Sequence, residues 1–211
     1  MAAVAIVDYT SLQAAVADWL NRTDLVDQIP AFITLSTAQF NRELRLRDMM
    51  VRANATSNAE NVLLPDDWLE HYSLQLAEGT PGGPLLYVSE RESNDIKALN
   101  PGGGSVEGYT IIGNMIELVP APGDNVDLRM VYYARIPDLS ATVPTNWLLQ
   151  KSPDLYLYST LMQSAPYLKE DTRAVAWSQL RQALIEGMRL ESERSLRPTA
   201  GYLVARARSL Y

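Results

Sequence analysis

The chain contains no cysteine and a single histidine, His71. The first absence excludes disulfides, a thiolate nucleophile and structural zinc held by paired cysteines, and it points to an intracellular or virion setting rather than a small secreted scaffold. The second leaves one imidazole for acid–base work. Basic charge is also short: 18 Lys and Arg stand against 25 Asp and Glu, a net charge of -7, which argues against a general binder of nucleic acid, whose affinity comes largely from cations on phosphates. No apolar run approaches the roughly 18 residues of a membrane span, and the stretch before Asp8 carries no basic flank. Export and membrane insertion are not expected.

Glycine and proline are scarce where they would interrupt helices. Nine of the eleven glycines fall within 79–123 and eight of the twelve prolines within 65–144, so both flanks can be long helices while the centre is turns and strands. At 211 residues and 47% hydrophobic content, one domain, or one domain carrying an insertion, can bury roughly 70% of its unfolded surface without staples.

In the N-terminal flank, Thr10 with Gln13 reads as a capping box, followed by Leu12, Val16, Trp19 and Leu20 on one helical face up to Asn21. Ile29-Pro30 opens a second helix through Phe32, Ile33, Phe40 and Leu44 to about Arg47, with Arg42, Arg45 and Arg47 complementing the helix dipole. In the C-terminal flank, Ser152-Pro153 reads as a helix start, with Leu155, Tyr158, Leu161 and Met162 at helical spacing until Pro166 breaks the run. A longer helix from Asp171 carries Trp177, Leu180, Leu184 and Met188 as one stripe and fades near Leu196. The expected fold is α+β: an antiparallel helical bundle formed by the N- and C-terminal helices (8–48 and 146–196), a central β-rich insertion (49–145) and an extended C-terminal tail (197–211).

Within the insertion the period changes to two. Val126, Leu128, Met130 and Tyr132 alternate with Asp127, Arg129, Val131 and Tyr133, the pattern of a strand with one buried face. Two further runs, 109–112 and 115–118, flank Gly113-Asn114, a loop suited to a tight hairpin; the three segments together predict a meander. Weaker strand signals lie at 51–56, 61–64, 72–76 and 85–88, and Ser89 with Glu92 predicts a short capped helix through Ile96 and Leu99.

The search for chemistry yields no catalytic residue, no cofactor and no metal. His71 has Glu70 and Ser73 near it in sequence, but adjacent strand residues face opposite sides, so no triad is expected. Asp66, Asp67 and Glu70 read as a turn rather than a cation site. Gly102 to Gly104 match neither phosphate-loop spacing, because position 107 is Glu107 and no Lys-Ser or Lys-Thr follows.

The end of the chain differs. Residues 194–211 hold Arg194, Arg197, Arg206 and Arg208 and no acid, leaving 14 basic against 25 acidic residues, or -11, in the remainder. Leu196, Tyr202, Leu203, Val204, Leu210 and Tyr211 lie in the same stretch, after or around Pro198 and Gly201. Ordering about 15 residues costs roughly 15 kcal/mol or more, and burying six apolar side chains returns roughly 10 to 18. One such tail barely docks; many copies on a ring dock firmly. The expected partner-binding residues are Arg194, Arg197, Pro198, Tyr202, Leu203, Val204, Arg206, Arg208, Leu210 and Tyr211.

Several short motifs occur in a characteristic order. Asp8-Tyr9-Thr10, Ala17-Asp18-Trp19-Leu20-Asn21-Arg22, Ile29-Pro30 and Phe40-Asn41-Arg42-Glu43-Leu44-Arg45 open the chain; Leu64-Pro65-Asp66-Asp67-Trp68-Leu69, Tyr132-Tyr133, Ile136-Pro137-Asp138-Leu139, Asn146-Trp147-Leu148-Leu149 and Pro153-Asp154-Leu155-Tyr156 follow. Over about residues 8–196 this order resembles the head-to-tail adaptor proteins of tailed bacteriophages. The resemblance implies a non-enzymatic virion protein of the neck, assembled in the host cytoplasm into a homo-oligomeric ring of typically twelve subunits. Such a ring docks on the portal through its C-terminal segments, extends the DNA channel without sequence-specific binding and offers a platform to a tail or nozzle protein. An acidic body suits a channel through which DNA slides. The rival expectations are a tail-tube or nozzle component without portal contact and, from another class, a hydrolase or nucleotide-binding enzyme.

Overall fold

A computed structural model describes residues 5–77, 84–169 and 171–196. Its described helices are α1 (Tyr9–Leu20), α2 (Ile29–Glu43), α3 (Glu90–Leu99), α4 (Trp147–Lys151), α5 (Pro153–Leu168) and α6 (Asp171–Leu196). The strands are β1 (Met50–Ser57), β2 (Asn61–Leu63), β3 (Trp68–Leu76), β4 (Leu86–Tyr87), β5 (Gly108–Ile112), β6 (Met115–Val119) and β7 (Val126–Ala134).

The first core is built by the chain's two ends. Leu12, Val16, Phe32, Ile33 and Phe40 from α1 and α2 share it with Leu148, Leu155, Tyr156, Leu161, Trp177, Ile185 and Met188 from α4, α5 and α6. Each fully buried Leu, Ile or Phe stabilises by about 1.5–3 kcal/mol. Yet the helices do not form the expected antiparallel bundle. α1, α2, α4 and α6 radiate from α5, and α6 meets chiefly α5 and a 3-10 turn at Arg47–Met49. Core positions that a bundle would give to helical side chains are taken by connecting segments, through Leu25, Leu44, Leu46, Met49, Ile136 and Leu139.

Local boundaries show why. α1 is capped by Asp8, whose carboxylate accepts from the Ser11 N–H at 2.7 Å while Ser11 Oγ accepts from the Asp8 N–H at 2.9 Å. This cap lies earlier than the Thr10–Gln13 box, because the Asp8 carboxylate and the Ser11 hydroxyl each accept the other residue's N–H. α2 ends at Glu43, where Leu44 turns extended and drops its side chain into the core, so only Arg42 lies in the last turn. Pro166 does not break α5: near the C-terminal end it costs a single ladder bond, and the helix ends at Lys169 in a left-handed conformation. Its ring lines a groove with Met162, Ala174 and Val175 between α5 and α6.

A second core lies between two sheets. One sheet has the order β1-β7-β3, all antiparallel; the other has the order β2-β6-β5-β4, with β4 parallel to β5. Leu74, Leu128, Met130 and Tyr132 of the first face Tyr109, Ile116 and Leu118 of the second. The hairpin at Gly113-Asn114 forms, with Ile112 opposite Met115 and Gly113 at φ +62°. The meander does not: Pro120 and Pro122 cannot extend the ladder, and β7 crosses to the centre of the other sheet. Its alternation nonetheless marks the buried face, since Val126, Leu128, Met130 and Tyr132 are all buried. Ser89 and Glu92 form a reciprocal capping box for α3. Among the described residues no helix is long and apolar enough to cross a membrane.

Candidate functional site

The side chains with catalytic potential are occupied structurally. His71 lies on β3, stacked on Tyr87 at 4.8 Å between ring centroids and edge-on to Tyr109. Its sequence neighbour Glu70 is turned to Arg45, at 2.5 Å. Asp67 accepts from the Tyr132 hydroxyl at 2.8 Å; burial, together with that carboxylate, pushes the phenol up to about 12. Among the described residues no cluster of His, Asp and Glu can hold a metal ion. The glycine run follows the C-terminal end of α3, where carbonyls rather than N–H groups are free. Gly103 N–H is given to Asn100 O and Gly104 N–H to Ala121 O, and a Cβ on Gly103 would meet Ala121 O at 2.7 Å. Two of the run's N–H groups are therefore already taken by backbone carbonyls.

The recognised motifs do meet in space, as a structural junction. The Asn41 side chain exchanges two hydrogen bonds with the backbone of Ile136, accepting from its N–H at 2.7 Å and donating to its carbonyl at 3.2 Å. Asn146 caps α4 by accepting from Leu149 N–H and donates to Pro137 O and the Tyr156 hydroxyl, both at 2.8 Å. Tyr156 is fully buried, edge-on to Phe40 with ring centroids 5.0 Å apart. Backbone, amide and phenol are thereby satisfied together at the point where α2, α5 and the segment returning from the sheets converge.

A second polar junction ties α6 to α2. Arg181, 5% exposed, donates to Glu43 at 2.5 Å and to Ser159 Oγ at 3.2 Å. Gln39 donates to the same carboxylate at 2.7 Å, and Arg189 donates to the Glu43 carbonyl. Burial pushes the Glu43 carboxyl up, but the hydrogen bonds from Arg181 and Gln39 outweigh it and hold the group below its ordinary value. Sequence reading missed this pair because Arg181 lies on the face between Trp177 and Ile185 that the apolar stripe should have filled. Leu180 is instead exposed.

The end of α6 is the place from which the expected partner-binding segment departs. Arg47 N–H donates to Ser192 Oγ at 2.8 Å and Arg47 Nη1 to the Ser195 carbonyl at 3.3 Å. Lys151 bridges Asp48 at 2.9 Å and Glu191 at 3.1 Å; the hydrogen bond it donates to Asp48 leads in holding the ammonium above its ordinary value. Arg194 stands exposed in the last turn. Arg197, Pro198, Tyr202, Leu203, Val204, Arg206, Arg208, Leu210 and Tyr211 lie outside the described residues. Of the arginines expected to complement the end of α2, Arg45 donates to the carbonyls of Asn41 and Leu44 and to Glu70, while Arg47 is turned to the end of α6.

Compared with known proteins, residues 7–202 match a family model described as SU10 adaptor protein. No curated protein matches the chain.

Proposed function

We propose, from the premise that the chain belongs to the SU10 adaptor protein family, that it is the structural head-to-tail adaptor of a tailed bacteriophage, forming a ring, typically of twelve copies, that docks on the portal at the virion neck. The observation that carries this reading is the family match over almost the whole chain. The ordered motifs support it, because they meet in a junction that positions helices and performs no chemistry.

Ring formation draws support from α6. Its buried residues Trp177, Ile185 and Met188 face α5, while Val175, Leu180 and Leu190 are exposed elsewhere on the same helix. A long helix with apolar residues on several faces is suited to burial on more than one side. The segment from Arg194 to Tyr211 docks on the portal, and multivalency across the ring turns weak single contacts into firm attachment. The channel carries packaged DNA without sequence-specific contacts, and the β region offers its surface to a tail or nozzle protein.

The test is to mix the purified protein with its portal. Rings by electron microscopy and co-sedimentation are expected; neither appearing overturns the reading. A chain ending at Leu196 should keep its helical circular dichroism signal and lose portal co-sedimentation. Cross-linking to a tail protein but never to the portal would favour a tail-tube or nozzle component instead.

A further inference from the structure

The four edges of the two sheets are not alike. β2 has three residues and β4 two, too short to template another strand. β3 carries two register shifts and has its outer side met by Pro84 and Leu85. β1 alone runs eight residues in unbroken register with β7, contains neither proline nor glycine and bears one charge, Arg52. Among the described residues nothing pairs with its outer side. Natural sheets blunt such edges by shortening, bulging, charging or covering them; three of these four edges are blunted and one is left open.

A second observation lies beside that edge. Between the flanks of the two sheets is an apolar cavity of about 220 Å³, lined by Ala53, Ala55, Val62, Leu64, Leu74 and Met130. Interiors are close-packed, so an unfilled apolar space opening along this edge leaves room for further chain. Ala53 and Ala55 stand opposite the buried Met130 and Leu128, so they face this cavity, and an added strand would alternate in the same sense.

We propose that the open edge of β1 receives the chain's own C-terminal segment, residues 197–211, as an added strand before a portal is met. The segment starts where it must. Ser192 and Ser195, at the end of α6, hold Arg47, three residues ahead of the first residue of β1. The five residues from 197 to 201 can span up to about 17 Å, and Pro198 and Gly201 allow the turn. From Tyr202 to Ser209 there are eight residues, as many as in β1. Their period is two: Leu203, Ala205 and Ala207 alternate with Val204, Arg206 and Arg208. The first set suits the apolar cavity and the second carries the charges outward. A short tether makes this pairing far more frequent than capture of another chain, since effective concentrations reach the millimolar range. Main-chain hydrogen bonds would supply the affinity and the alternate side chains the fit. The segment given above to the portal is then parked on its own subunit until the portal competes for it.

Hydrogen exchange of the full chain, without portal, tests this. In an antiparallel ladder alternate amides of β1 point away from β7; these should exchange at least about tenfold faster in the chain ending at Leu196 than in the full chain, while β7 amides stay unchanged. Ala205→Pro in the full chain should have the same effect, which guards against a folding defect caused by truncation. Equal β1 exchange in all three proteins overturns the proposal. So does protection that disappears on hundredfold dilution, which would assign the edge to a second copy. Because no portal is present, this result is separate from the portal reading, which stands or falls by co-sedimentation.

Discussion

Both regions have fully buried centres, Phe40, Leu44 and Tyr156 in the helical body and Leu118 and Val119 in the β region, and both leave apolar side chains more than half exposed, such as Tyr167 and Val175 in the one and Leu63 and Leu86 in the other. The helical body also closes its polar groups internally, through the Asn41–Ile136 and Asn146–Tyr156 contacts and the Arg181–Glu43 pair. The β region, by contrast, has strands of two and three residues, one edge that no described residue pairs with and a cavity along it. The difference teaches that the helical body joins its elements through polar junctions within the subunit, whereas the β region keeps a strand edge and a cavity for contact.

That contrast can be broken most directly in the two cores. Phe40→Ala removes a ring packed between Tyr156 and α2's neighbours with little room to collapse, and should lower unfolding free energy by about 3–5 kcal/mol. Leu118→Ala, equally buried between sheets, should cost about 2 kcal/mol, since short strands beside a cavity relax more easily. Urea unfolding followed by far-ultraviolet circular dichroism gives both numbers. If Leu118→Ala costs as much as Phe40→Ala, the β region is packed as completely as the helical body and the contrast fails.

Next comes the junction. Asn41→Ala leaves the Ile136 N–H without its 2.7 Å acceptor in a mostly buried setting and should cost about 2 kcal/mol. Asn41→Asp keeps the acceptor and loses the donor to Ile136 O; it should cost less. Equal effects would mean that the N–H contact is not the one that matters.

These particular contacts also show what the sequence could and could not reveal. The Ser89–Glu92 capping box, the hairpin at Gly113-Asn114 and the buried face of β7 were legible because each depends on residues within a few positions of one another. Two structures of longer range were not. The arrangement of helices around α5 depends on which connecting residues enter the core, and Leu25, Leu46 and Ile136 carry no periodic signal of it. β7's move to the other sheet depends on the path after Pro120, which alternation cannot report. Arg181 was hidden because α6 is apolar on several faces, so its stripe could be placed on more than one side. Of the predicted partner-binding residues only Arg194 falls among the described ones, exposed where the segment begins.

A smaller effect is expected at the α2–α6 pair. Glu43 is about one-third exposed and Arg181 nearly buried, so Glu43→Gln, which retains an acceptor, should cost about 1 kcal/mol after solvent screening is allowed for. The sign with pH follows from the depressed carboxyl. A group whose folded-state value lies below its ordinary 4.5 adds stability that is present above 4.5 and is lost as pH falls through the folded value. The gap between wild type and Glu43→Gln should therefore be constant from pH 7 to about 5 and narrow below pH 4.5. A gap that widens on acidification would show that the carboxylate is not stabilised by its arginine.

The smallest effect on stability belongs to the tip of the β region, and it separates folding from assembly. Leu63 and Ile112 lie on either side of Met115, its direct partner across both ladders, and all three are exposed. Exposed apolar side chains in a row give an isolated subunit little, so Leu63→Ser with Ile112→Ser should change unfolding free energy by no more than about 0.5 kcal/mol. If the β region is completed by contact, the same double substitution should weaken binding of the neighbouring virion protein that covers this tip, because a small cluster of buried apolar residues carries most of an interface. The variant, mixed with the portal and the tail or nozzle protein and sedimented, should retain the portal and lose the tail component. Full retention of both would assign the tip to solvent and restrict the contrast between the two halves to the edge of β1.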